Sequence, residues 1–240
     1  DLLIIGVTGD ITAEELAPLL DRAFGSLPKS KVLPTIAEAA PRLTGDTYVV
    51  ELDVPQSSII FGQPGLRRDD ADWYTGLVMN YILGGGGFSS RLYSEVREKR
   101  GLAYSVGTGL HPMRLSALIS GGAGTKNANV AESLKIIRTE WDRMRTGGVT
   151  PDELSRAKSY LTGSFPLRLS STDRIARMLV SIQYHNLGID YIDKRANYIN
   201  VVSAENIAKL ARRLLDPGKL TFVVVGKPAA VTPTAPTPQI

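Results

Sequence analysis

Two pairs of strand-length apolar segments follow one another with only a few residues between their members. Residues 47–53 and 57–62 are separated by Val54-Pro55-Gln56, and residues 102–110 and 115–121 by a turn around His111-Pro112. Neighbouring strands without an intervening helix favour an antiparallel or mixed sheet with helices packed on one face, an α+β layer. Helical patterns fill the remaining space. Asp69 or Asp70 can cap a helix over 71–83, with Trp73, Leu77 and Tyr81 at helical spacing. Ser89 or Ser90 opens another helix that Gly101 ends. A long amphipathic helix is predicted over 128–145. Thr150-Pro151-Asp152-Glu153 starts the next, with proline at its first position inside a capping box. Helices near 172–186, 189–200 and 204–215 and a last apolar strand over 219–226 complete the order.

The opening differs from the rest. Residues 1–8 read as a buried strand, and Thr12-Ala13-Glu14-Glu15 is a capping box for a helix that reaches Phe24, with Gly25 able to take a left-handed stop. One strand and one helix cannot bury each other's apolar faces alone. Residues 1–27 are therefore expected to be the tail of a truncated first domain. Residues 28–46, with Pro28, Pro34 and Pro41, read as a linker. Residues 47–228 form the expected second domain. Residues 229–240, rich in Pro, Thr and Ala, are expected to be a disordered tail.

Composition removes several chemistries. No cysteine is present, so disulfides, thiolate metal sites and a cysteine nucleophile are excluded. The formal charge of +4 comes from dispersed Lys and Arg, which argues for solubility rather than nucleic-acid binding. No apolar run approaches the ~20 residues that span a bilayer. His111 and His185 are the two histidines, and neither opens an H-x-x-E-H or H-x-x-x-H helix face, so no metal site is expected from this chain. There is no G-x-S-x-G elbow. Glu95 and Glu98 read as surface ion-pair partners.

Two features remain. Gly84, Gly85, Gly86 and Gly87 form a run that lacks the Lys-Ser/Thr ending of a phosphate loop. It is either a tight helix–helix joint or a loop that approaches another chain's backbone closely. Arg97 lies on the last turn of the helix stopped by Gly101, and Tyr104 lies on the strand that follows. Taken alone, they read as a surface arginine near a helix C-terminus and a half-buried strand aromatic. The reversal at Gly101 nevertheless brings both toward one edge, where two fixed donors could grip an extended peptide.

Gly84-Gly85-Gly86-Gly87-Phe88-Ser89-Ser90-Arg91-Leu92, followed by Arg97-Glu98-Lys99-Arg100-Gly101-Leu102-Ala103-Tyr104-Ser105-Val106, resembles the second, zinc-free domain of pitrilysin/insulinase-type peptidases, with bacterial processing-peptidase-like members nearest. Thr150-Pro151-Asp152-Glu153-Leu154 through Lys158-Ser159-Tyr160-Leu161 is similar to a later helix of that domain, and Gly6-Val7-Thr8-Gly9-Asp10 to the close of the first. The resemblance implies a processing-peptidase-like metallohydrolase half. It implies that zinc, absent from this chain, belongs to a complementary half carrying H-x-x-E-H, located upstream or on a partner subunit. It further implies a homo- or heterodimer, a peptide substrate, and Arg97 and Tyr104 as substrate carbonyl and oxyanion donors in trans. The glycine run would be a substrate-contacting loop, although it is shorter than in relatives that use one. The alternative is a scaffold subunit that binds partners without proteolysis. A bacterial periplasm or cytoplasm is the expected compartment.

Overall fold

The computed structural model describes residues 3–28, 35–41 and 44–237. Contacts divide the chain into two units, Asp1–Ala37 with Thr162–Ala196, and Glu38–Leu161 with Asn197–Ile240. The division follows packing rather than chain order. Residues 162–196, which sequence reasoning places inside 47–228, group with the N-terminal segment.

The larger unit is built on a five-stranded mixed sheet. Its strands are β1 (Thr47–Glu51), β2 (Gln56–Pro64), β3 (Ala103–Pro112), β4 (Ala117–Lys126) and β5 (Thr221–Gly226), in the order β1-β5-β2-β4-β3. The β1–β5 pair is parallel and the other pairs are antiparallel. The two short connections seen in the sequence thus lead to different outcomes. β3 and β4 pair directly, whereas β5 inserts between β1 and β2. Val54-Pro55-Gln56 is therefore a crossing joint and not a hairpin turn.

Alternation fixes which face is buried. Ser57, Ile59, Phe61 and Gln63 of β2 point inward, while Ile60 is 62% exposed on the opposite face. Helices cover the inner face: α2 (Trp73–Asn80), α3 (Arg91–Tyr93), α4 (Val130–Gly147), α5 (Pro151–Gly163) and, after α6 (Thr172–Tyr184) and α7 (Tyr191–Asn200), α8 (Ala204–Leu214). Trp141 of α4 meets Phe61 edge-on at 5.8 Å and donates from Nε1 to Gln63 Oε1 at 2.9 Å. Gln63 is buried but satisfied, because Oε1 also accepts from the Asp216 amide and Nε2 donates to the Leu214 carbonyl. Burying an unpaired amide would cost about 1–3 kcal/mol.

The smaller unit is helical. In α1 (Ala13–Phe24) the capping box forms as expected, with Thr12 N donating to Glu15 Oε2 and Glu15 N to Thr12 Oγ1. Two expectations fail here. Gly25 stays right-handed at φ −62° and its amide bonds to Asp21 O, so it extends the last turn instead of reversing it. Residues 3–8 form no strand. A Cβ at Gly6 would come within 2.6 Å of the Ala176 carbonyl, so this segment lies against α6 rather than in a sheet. Residues 1 and 2 lie outside the described residues.

The segment expected to be a disordered tail makes specific bonds in the part that is described. Thr234 N donates to Thr47 O, Thr47 N donates to Thr234 Oγ1, and Thr237 Oγ1 donates to Val49 O, all along β1.

Candidate functional site

The segment that carries Arg97 is helical but irregular. After α3 the chain widens into a π turn over Ser94–Glu98, and a second π turn, Tyr81–Gly85, follows α2. Such turns occur often at functional sites. Gly101 then takes φ +60°. Its amide donates to Arg97 O, and Leu102 N reaches back to Val96 O at 2.9 Å. The five-residue closure from Gly101 to Arg97 is the left-handed glycine stop of a helix end, and the Leu102 bond reaches farther back. The chain leaves it directly into β3.

The entry to β3 is bulged. Ala103 pairs with Thr125 and Ser105 with Gly124, so Tyr104 has no partner on β4. Alternation breaks at this point, with Tyr104 and Ser105 both exposed between buried Ala103 and Val106. A bulge re-aims a side chain, and here it turns the phenol outward. Tyr104 is 80% exposed, so its reading as a half-buried strand aromatic is corrected. The carbonyl just before the bulge is pinned, because Leu102 O accepts from Thr125 Oγ1 and Asn129 Nδ2.

Arg97 and Tyr104 are in contact. The Arg97 guanidinium lies 5.0 Å from the Tyr104 ring centre, 4.9 Å from that of Tyr93 and 5.8 Å from that of Phe88. It also donates from Nη1 to the Tyr93 hydroxyl. Phe88 meets Tyr93 edge-on at 4.7 Å. Three rings therefore hold the cation, and among the described residues no carboxylate lies within ion-pair distance of it. Cation–π contacts fix its position without neutralising it. Tyr93 stands four residues before Arg97, a spacing that places both on one helix face. Phe88 sits in the glycine preamble. Both were visible in the sequence, but their part in the cradle was not read there.

The neighbouring cations are differently placed. Glu95 accepts from Lys99 Nζ at 2.5 Å and Arg100 Nη1 at 2.6 Å, and these hydrogen bonds, Lys99's first, hold its carboxyl below the usual range. Arg91 is buried and forks onto Glu153, with Nε to Oε1 at 2.6 Å and Nη2 to Oε2 at 2.8 Å, while Nη2 also donates to Gly148 O. Burial pushes the Glu153 carboxyl up, but Arg91 and the Thr150 amide outweigh it and bring it to about 2. This pair ties the start of the Arg97 helical segment to α5.

The glycine run divides. Gly84 is buried, and a Cβ there would meet Thr108 Oγ1 at 2.5 Å. At Gly85 and Gly86 a Cβ would meet Asn80 Nδ2 at 2.5 Å and Tyr81 O at 2.7 Å. These three make a tight joint against the chain's own atoms. Gly87, with φ +54° and open space around it, is the member that a second chain could approach.

His111 lies within β3, not in a turn. Among the described residues no group of three His, Cys, Asp or Glu could share a metal ion. The described residues of this chain do not fit zinc. Among the described residues no helix is long and apolar enough to cross a membrane.

Comparisons with known proteins give a consistent result. Residues 1–161 match the family described as the peptidase M16 inactive domain. A Streptomyces coelicolor protein named an uncharacterized zinc protease is 37% identical over 71% of this chain and 38% of its own length. A Helicobacter pylori protein named a non-peptidase homolog is 28% identical over 93% of this chain and 51% of its own length. The crystal structure of a peptidase M16 inactive domain from Pseudomonas fluorescens superposes with a TM-score of 0.79 at 29% identity, covering 96% of this chain and 54% of that one. The chain thus spans about half the length of the latter two, and less of the first.

Proposed function

The chain belongs to the peptidase M16 inactive-domain family, and we propose that it is the substrate-gripping, zinc-free half of a metallopeptidase. It acts together with a zinc-bearing homologous half, in the same polypeptide or on a partner subunit, within a homo- or heterodimeric assembly. The observation that carries this reading is the packed Arg97–Tyr104 pair beside an unpaired strand edge. An extended peptide adds to the free edge of β3 through main-chain hydrogen bonds. Tyr104 Oη donates to the substrate oxygen that gains charge during attack, and the free donors of Arg97 hold a neighbouring carbonyl. Gly87 gives the peptide room beside them.

The test uses the chain combined with its zinc-bearing half. Tyr104→Phe and Arg97→Ala should each lower kcat/KM by roughly 10²–10³, with zinc content unchanged. Full turnover in both variants defeats the assignment. A second reading has one specific observation in its favour, the naming of the Helicobacter relative as a non-peptidase homolog. On that reading the chain is a scaffold, and a stable complex with the other half would show no peptide cleavage at all.

A further inference from the structure

Arg97 and Tyr104 line a cleft of about 360 Å³ together with Gln56, Thr125 and Lys126, and Phe88 is not among its lining residues. Gln56, Arg97, Tyr104 and Lys126 can donate hydrogen bonds there, while Thr125 gives its hydroxyl to Leu102 O; two of the five are cations, and the cleft is lined by no carboxylate. Glu98, the acid next to Arg97 in the chain, lines a different cleft with Phe88 and Arg91. Lys126 is exposed at the end of β4, on the strand that pairs with β3, and has no ion-pair partner among the described residues. Lys99 and Arg100, by contrast, are both taken up by Glu95. A pocket of donors and unneutralised cations, with no acid of its own, is complementary to an anion.

We propose that Lys126 sets a charge preference, so that this cleft receives an acidic side chain of the peptide lying along β3. The inference rests on the reading of Arg97 and Tyr104 as the peptide grip, and it adds which residues the gripped peptide carries. Register supplies the geometry. Lys126 follows Thr125, the partner of Ala103, so it stands beside the start of the strand on which Tyr104 bulges and lines the same cleft. Arg97 holds main-chain oxygen in this arrangement, and Lys126 reads the side chain.

The experiment measures fluorescence anisotropy of the 240-residue chain with three labelled extended peptides of Ala and Ser that differ in one central residue, Glu, Gln or Lys. The unaltered chain should bind the Glu peptide about three- to fivefold more tightly than the Lys peptide, the range expected of an exposed ion pair. That gap should close as salt is raised to 1 M. Lys126→Glu should reverse the order and Lys126→Gln should flatten it, with thermal melting unchanged in both. Tyr104→Phe should weaken all three peptides alike, and Arg97→Ala should weaken all three, the Glu peptide most. An order unmoved by Lys126→Glu overturns the charge preference while leaving the grip intact. Charge reversal by Lys126→Glu combined with full affinity in Arg97→Ala and Tyr104→Phe overturns the grip instead. Failure of the unaltered chain to bind any of the three overturns both.

Discussion

The sheet has two edges, and the chain treats them oppositely. Along β1 its own residues 234–237 run beside the strand and bond to Thr47 and Val49. Along β3, among the described residues, no backbone segment bonds to the outer side. An unpaired edge invites pairing with other chains, and proteins usually cover, twist or charge it. Here one edge is covered. The other is bulged at Tyr104, and a carboxylate-free arginine stands over it. On the proposed function the β3 edge is the one an extended peptide would use, with the Asn80 side-chain amide already donating to the Thr108 carbonyl farther along it.

The two edges also differ in what anchors them, and the largest effect on stability is expected on the β3 side. There the helical segment that ends in Arg97 starts at the buried Arg91–Glu153 fork. Arg91→Met leaves the Glu153 carboxylate without its partner and should cost about 3–5 kcal/mol, read from the urea midpoint at constant m. A loss below about 1 kcal/mol would show that the segment is held by packing alone.

Acid tests the same anchor without a mutation. Glu153 sits at about 2 in the folded chain against an ordinary 4.5. Its folded value is the lower one, so its stabilisation is complete above about pH 4.5 and is lost as pH falls toward 2. The contribution at stake is up to roughly 3 kcal/mol. In Glu153→Gln this part of the acid transition should vanish. The β1 side carries a weaker acid response of the same sign. Hydrogen bonds from Thr44 and then Thr234 hold the Asp46 carboxyl below its ordinary value, so protonation there loosens the covering segment.

How much of this was legible in the sequence depended on range. Local signals worked well: the capping box at Thr12, the glycine stop at Gly101 and the helix start at Thr150-Pro151 all appear where their chemistry places them. The approach of Arg97 to Tyr104 followed from one such signal. Gly25, which stays right-handed, is the one local stop that failed; the other failures were non-local. The partner of β1 is β5, almost the whole length of the unit away, and no pattern near residue 47 announces it. The Pro- and Thr-rich end looked disordered because its bonds are to a distant strand edge, and composition alone does not encode that. The bulge at Tyr104 is a mismatch between two strands and so is invisible in either one. The glycine run was ambiguous because a close approach to one's own chain and to another chain make the same demand on residue size.

The smallest effect concerns the latch on β1. Thr234→Val keeps the main-chain bond from residue 234 to Thr47 O but deletes the hydroxyl that accepts from Thr47 N and donates to Asp46. The amide of buried Thr47 and the half-buried Asp46 carboxylate each lose a partner, so the cost should be about 1 kcal/mol. Adding Thr237→Val removes the bond to Val49 O and should bring a similar increment. Amide exchange at Thr47 should quicken in the single variant, while exchange within the β2–β4 ladder stays unchanged. With the latch loosened, β1 becomes a second bare edge. If the double variant then binds extended peptides no better than before, a free edge is insufficient for recognition, and the discrimination between the two sides must come from the guanidinium and phenol that β3 alone carries beside it.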